Sequence, residues 1–233
     1  MAQARRWRQS TRVTPHTIDL ERTYDRRFGD APDYRLRVWS ILIREFFQKF
    51  VPEGGTVLDL GCGWGEFVNQ VQAKRRFGMD LNSAAGARLS EHVTFLHQDC
   101  ATRWPFDDGS LDAVFTSNFF EHLPDKSALQ ATVLEAFRTL KPGGRLICLG
   151  PNIKCVPGRY WDFWDHFIPL TELSLRELME MSGFRVEHCL PRFLPYSMAT
   201  GFRPPVWTVS VYLKLPPLWR LFGKQFLVVA VKP

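Results

Sequence analysis

Val57-Leu58-Asp59-Leu60-Gly61-Cys62-Gly63-Trp64-Gly65 joins a short apolar run to three glycines at alternate positions. Thr56 to Leu60 has the length and apolarity of a buried strand, and the residues from Glu66 to about Lys74 have helical spacing, so the glycines stand at a strand-to-helix junction. Glycines there let a ligand approach the backbone and leave helix N–H groups aimed at it. A glycine triplet alone carries little weight; its surroundings decide the reading.

Downstream, strand and helix patterns alternate. Strands are expected at Arg76–Asp80, Val93–His97, Leu111–Phe115 and Arg145–Leu149, with a helix from Ser83 and another running to Leu140. This alternation implies a parallel sheet with helices on both faces. Ser174–Met181 has amphipathic spacing before a terminating Gly183, and Phe184–His188 and Phe226–Val231 read as two late strands. Upstream, apolar residues recur at helical spacing from Leu36 to Phe50, until Pro52, Gly54 and Gly55 break the pattern. Acidic residues close two of the strands. Asp80 ends the second, where a carboxylate can accept from both ribose hydroxyls of an adenosine-containing cofactor, and Asp99 follows the third, within reach of an exocyclic adenine amine.

The composition is that of an ordinary globular chain: 233 residues, 45% hydrophobic and 23% charged. One domain is expected, with 1–50 an N-terminal arm and helix, 51–189 the cofactor core, 190–224 a substrate-side insertion and 225–233 the last strand. Without a 20-residue apolar run or a secretory signal, a cytoplasmic location is the default expectation. Five cysteines, odd in number and with no CxxC pair, argue against a disulfide framework or structural zinc. The formal net charge of +6 is concentrated in front, with Arg5, Arg6 and Arg8 beside Trp7.

The glycine loop, the acids after strands two and three, Leu111–Leu123, Glu135–Leu146 with its Lys141-Pro-Gly-Gly144 turn, and Asp165-His166-Phe167 followed by the helix to Phe184 together resemble the class I S-adenosylmethionine-dependent methyltransferases. The likeness is to the small-molecule group of the ubiquinone and menaquinone biosynthesis enzymes, and covers roughly residues 50–190 plus the final strand. It implies a Rossmann-like, doubly wound α/β fold with a mostly parallel seven-stranded sheet, and S-adenosylmethionine as cofactor. It also implies that Gly61, Cys62, Gly63 and Gly65 line the methionine and ribose side, that Asp59 orients the loop, and that Asp80 with Leu81 holds the ribose. Asp99 and Cys100 would border the adenine, and Asn118 would lie nearby. A dinucleotide dehydrogenase is the competitor, but its loop is Gly-x-Gly-x-x-Gly, not the Gly-x-Gly-x-Gly found here.

Methyl transfer needs alignment, exclusion of water and, for a hydroxyl acceptor, one base. His166, beside Asp165 and after an aromatic loop, is the first choice, with an anchoring role as the alternative; His122 is the second. Glu121-His122 is similar to a divalent-metal pair of the ubiquinone O-methyltransferases, but Asn118 stands where a further acid would be, so no metal is expected. Tyr24, Tyr160, Trp164 and Tyr196 are expected on the acceptor side. The acceptor would be a small or lipid-linked molecule such as a sugar, polyketide or quinone, methylated on oxygen. Nucleic acid is the weaker reading, because no RNA-binding module or second basic stripe is present, and a non-catalytic cofactor-binding module is a third. The proline- and aromatic-rich insertion, whose 203–224 portion mixes apolar and basic residues, reads either as a lid, dimer contact or sheet cover, or as a membrane-surface patch.

Overall fold

The structure is a computed structural model that describes residues 32–196 and 203–233. Seven strands form one sheet in the order β3-β2-β1-β4-β5-β7-β6, with β1 Thr56–Leu60, β2 Arg75–Asp80, β3 Val93–His97, β4 Leu111–Ser117, β5 Leu140–Pro151, β6 Arg185–Leu190 and β7 Gln225–Val231. β1 pairs in parallel with β2 and β4, β2 with β3, and β4 with β5; β7 runs antiparallel between β5 and β6. Every residue of β1 and β7 is buried, as expected of strands covered on both faces. The order in which successive strands are added reverses between β1 and β4, β2 and β3 lying to one side of β1 and β4 to the other. In open α/β sheets, the crevice outside the strand C-termini at such a switch is where ligands bind.

One apolar cluster packs α2 (Lys126–Thr139) and α3 (Glu172–Met181) against Leu58, Val114, Leu146 and Val228 on one face. The other face is covered by the N-terminal segment. There α1 (Pro32–Leu42) continues into a π-helical turn at Ile43–Phe47 and a 3-10 turn at Gln48–Phe50. Trp39 and Phe47 meet Phe115 of β4 edge-on at 6.0 and 5.3 Å, while Phe67 stacks on it at 3.7 Å. Such ring pairs fix the entry segment to the sheet beyond simple area burial.

The helix expected from Glu66 to about Lys74 does not form. Only a helical turn is closed, by Asn69 N–H to the Gly65 carbonyl and Val71 N–H to that of Phe67. The physical reason lies in Gln48: its amide accepts from the Gln72 N–H (2.9 Å) and donates to the Gln72 carbonyl (2.9 Å), taking the groups that would have propagated the helix. The helix expected from Ser83 is a 3-10 helix, Ser83–Arg88, capped by the Asn82 side chain. β5 and β6 extend further than their sequence patterns indicate: pairing with β7 adds Gly150 and Pro151 to β5 and Cys189 and Leu190 to β6, while Leu140 at the start of β5 pairs with Leu111 of β4. α3 carries a Thr171/Ser174 capping box and ends before Gly183, whose φ of 96° is the left-handed conformation that stops a helix. The described part of the insertion holds two short helices, α4 (Trp207–Lys214) and α5 (Pro216–Phe222), with α4 laid against the N-terminal segment.

Candidate cofactor and acceptor site

A cavity of about 420 Å³ opens at the C-terminal edges of β1, β2 and β4. Its size suits a small-molecule cofactor with part of an acceptor. The glycine loop forms one wall. Gly61, Gly63 and Gly65 all have positive φ, at 68°, 50° and 75°. At Gly61 an added Cβ would lie 2.3 Å from the Phe119 ring, so the loop passes under that ring only because glycine stands there. Gly61, Cys62 and Gly63 line the cavity; Gly65 does not, and instead turns the backbone against Leu89 and Asn69.

Asp80 is buried at the end of β2. Its Oδ2 accepts from Gly63 N–H (2.9 Å) and its Oδ1 from Asn82 N–H (2.8 Å). It therefore ties the glycine loop to the strand end. Leu81, more than half exposed, and Gln98, Asp99, Cys100 and Ala101 continue the wall. Asp99 is exposed and accepts from Ala101 N–H, while burial pushes the Cys100 thiol up to about 11, keeping it protonated. Asn118 lines the cavity with φ 50°, a left-handed residue held by its N–H bond to the Leu149 carbonyl.

Asp59 reaches the cavity from β1. Burial first, then the charge of Glu66, holds its carboxyl well above the usual carboxylate range, although a bond from Val68 N–H pulls the other way. Three acids, Asp59, Glu66 and Asp80, thus converge on one end of the cavity. That donor set fits the ammonium and sulfonium of S-adenosylmethionine. Arg35 of α1 also lines this end and meets Glu66 at 2.5 Å.

The opposite end is built from the loops after β4 and β5. His122 Nδ1 lies 2.9 Å from the Asp165 carbonyl and 3.2 Å from its carboxylate. Burial pulls the His122 pKa down, but the Asp165 bond and the nearby Glu121 charge outweigh it, and the net shift is upward. Asp165, adjacent in sequence to His166, is thus the carboxylate that reaches His122. His166 is buried between Phe163, stacked at 4.8 Å, and Tyr160, edge-on at 4.8 Å, with its ring 4.7 Å from His122. Glu121, His122 and His166 bring donor atoms within 4.8 Å of one another.

Of the expected acceptor-side residues, Tyr196 lines the cavity. Tyr160 does not: it is fully buried, and its hydroxyl donates to the Ile168 carbonyl and accepts from Leu170 N–H, bracing the loop beneath His166. Trp164 does not either, because its position at the loop tip leaves it 86% exposed. Tyr24 lies outside the described residues. Arg35, Trp39, Phe119 and Gln225 line the cavity without having been expected there. Arg35 carried only the signal of a generally arginine-rich start, and Trp39 that of an apolar helix face.

The seven-stranded topology, the glycine loop and the acid at the end of β2 are those of a class I S-adenosylmethionine-dependent methyltransferase. The methyltransferase domain family matches residues 57–144, the stretch that holds the glycine loop and the acids after β2 and β3, and S-adenosylmethionine is the cofactor that this match and the fold imply. It is 35% identical over 147 residues to a probable S-adenosylmethionine-dependent methyltransferase of Mycolicibacterium smegmatis, covering 60% of this chain and 56% of that one. It is 33% identical over 118 residues to a demethylmenaquinone methyltransferase of Lactococcus lactis, covering 45% of each. The chain spans about half the length of these curated relatives. A methyltransferase structure from Archaeoglobus fulgidus superposes with a TM-score of 0.65 at 20% identity, covering 92% of this chain and 100% of that one, a likeness of fold.

Proposed function

We propose that the chain transfers a methyl group from S-adenosylmethionine to an oxygen nucleophile of a small or lipid-linked acceptor, such as a sugar, polyketide or quinone-like molecule. The observation that carries this reading is one cavity with two chemically distinct ends: convergent acids beside the glycine loop, and a histidine–carboxylate pair among aromatic rings.

S-adenosylmethionine supplies a methyl group on a positively charged sulfur, open to in-line attack. Asp80, which holds Gly63, would accept from the ribose hydroxyls, Asp99 would accept from the adenine amine, and Leu81 with Cys100 would give the adenine apolar contact. Asp59, at the root of the loop, would give up its proton against the cofactor's positive charge and face the cationic end. Phe119 over Gly61 and the Phe67–Phe115 stack exclude water. On the acceptor side, His122 takes the hydroxyl proton on Nε2, because Nδ1 is engaged by Asp165, which orients the ring and stabilises the imidazolium that forms. His166 is a positioning residue: packed between Phe163 and Tyr160, it fixes the His122 ring.

The spacing of Glu121, His122 and His166 favours a second reading, a bound transition ion, since imidazole and carboxylate donors at such distances suit one. Calorimetric titration with S-adenosylmethionine, and separately with NAD, tests the cofactor; no binding, or preference for NAD, would overturn the reading. An acceptor screen in the presence of a chelator then separates the two acceptor-side readings. Turnover that survives chelation supports the His122 base, and turnover that collapses and returns with added Mn²⁺ or Zn²⁺ supports the metal.

A further inference from the structure

α4 and α5 are apolar on two sides. Val206, Val209 and Leu213, spaced by three and four, face inward onto the cluster that includes Phe47 and Phe193, and Trp219 packs edge-on against Phe193 at 5.1 Å. Tyr212 fastens the hairpin by donating from its hydroxyl to the Phe193 carbonyl. The outer side should then be polar, as in an ordinary surface helix. It is not. Trp207, Val211 and Leu215 recur at intervals of four and are 66%, 43% and 45% exposed, and Leu221 and Phe222 of α5 are 65% and 53% exposed. Two short helices thus turn five large apolar side chains to water. A contiguous exposed patch of this kind marks a docking surface.

The charge around it decides the occupant. No acidic residue follows Glu187 in the chain, although the whole sequence has 24, while Arg203, Lys214, Arg220 and Lys224 lie within or beside the hairpin. The neighbouring N-terminal segment adds Lys49, whose ammonium lies 4.0 Å from the centre of the Phe46 ring, itself packed edge-on against Trp219. It also adds Arg44, joined to α4 through Glu45, which accepts from Ser210. Glu45 is the acid at this junction, and it is already engaged by Arg44 and Ser210. Exposed tryptophan, leucine and phenylalanine set among an excess of cations over acids match an anionic bilayer surface, where rings enter the interface and cations meet headgroup phosphates. A second copy of the same basic face would be repelled.

We infer that the α4–α5 hairpin seats the protein on an anionic lipid membrane. No described helix is long and apolar enough to cross one, so the attachment is peripheral. The hairpin is flanked in sequence by Tyr196 and Gln225, both of which line the cavity. Seating it on lipid therefore brings the cavity rim to the surface, which suits an acceptor carried on a lipid tail. The inference rests on the surface itself and holds whether or not the proposed methyl transfer does.

Co-sedimentation of the full chain with vesicles tests it, using phosphatidylcholine alone and a 7:3 mixture of phosphatidylcholine and phosphatidylglycerol. Binding to the mixed vesicles, little to phosphatidylcholine alone, and weakening with salt are expected. Lys214→Glu/Arg220→Glu should lower partitioning at least about tenfold, and Trp207→Gln/Leu221→Gln by a similar factor even at low salt. All four side chains are exposed, so S-adenosylmethionine binding by both variants should match the parent and report intact folding. Brominated lipid should quench tryptophan fluorescence, and Trp207→Phe should remove much of that quenching. Equal affinity for neutral and anionic vesicles, failure to bind either, or binding untouched by both double variants would overturn the proposal. So would sedimentation showing a dimer that Trp207→Gln/Leu221→Gln dissociates, or tighter binding to RNA than to vesicles.

Discussion

Asp59 has its proton affinity raised by its surroundings, and the consequence can be measured. Its carboxyl has a folded-state pKa raised by burial and by Glu66, so the folded chain binds this proton more tightly than the unfolded chain. The side chain then contributes stability at low pH that is lost as pH rises through the raised value. Asp59→Asn removes that liability: the cofactor-free protein should melt no lower at neutral pH than the parent, while S-adenosylmethionine affinity falls at least about tenfold, one pKa unit in equivalent energy. Scanning calorimetry and titration together check both halves, and an unchanged affinity would remove Asp59 from cofactor binding. In the parent, cofactor binding should release a proton, seen as a dependence of binding heat on buffer ionisation enthalpy. His122 carries the opposite sign. Its raised pKa means that the imidazolium–Asp165 pair stabilises the fold fully below about 6.5 and stops doing so as pH rises through the raised value. As a base it must be neutral, so kcat/KM should climb with pH to a midpoint above 6.5, the ordinary histidine value. Asp165→Asn should move that midpoint down and lower the plateau; a flat profile in both proteins would exclude His122 as the base.

Among the elements, those read most clearly in the sequence are set by local chemistry. The run Val57–Leu60 is apolar apart from Asp59, the run at 226–231 is apolar at every position, and both are strands buried throughout. Gly61 and Asp80 were legible because a tight turn and a strand-end acid are short-range signals. The segment after Gly65 was not, since its fate is decided by Gln48, far away in the chain, which captures both backbone groups of Gln72. The pairing of Asp165 with His122 is likewise a meeting of two loops. Tyr160 has an aromatic identity suited equally to a substrate wall or to a brace, and the carbonyl of Ile168 makes it a brace. Gln48→Ala probes the first of these. It removes three hydrogen bonds, including one to the Val51 carbonyl, yet the freed groups at Gln72 are solvent-accessible and can turn to water. The cost should be about 1 kcal/mol, a fall in Tm of about 2–4 °C for a domain of this size. Cofactor affinity should be nearly unchanged; a larger loss would show that the 66–74 segment transmits order to the glycine loop.

At the scale of the whole molecule, the sheet and the cofactor end are one mechanical unit, because Asp80 joins β2 to the loop that leaves β1. Both oxygens of its buried carboxylate are already used by Gly63 and Asn82 N–H groups before any ligand enters. Binding to the native state alone stabilises it by about 2.7 kcal/mol at a ligand concentration 100 times Kd, so saturating S-adenosylmethionine should raise Tm by roughly 5–10 °C in the parent. Asp80→Ala acts twice. It leaves two backbone donors without their acceptor, lowering the cofactor-free Tm at a cost of about 1–3 kcal/mol for each donor that stays dry, and it removes the acceptor proposed for the ribose, abolishing the ligand-induced rise. Asp80→Asn separates the two effects, since its amide oxygen can still accept from one of the two N–H groups. A cofactor-free Tm near that of the parent with the rise lost would assign Asp80 directly to the ribose. A normal rise in Asp80→Asn would instead confine it to holding the loop.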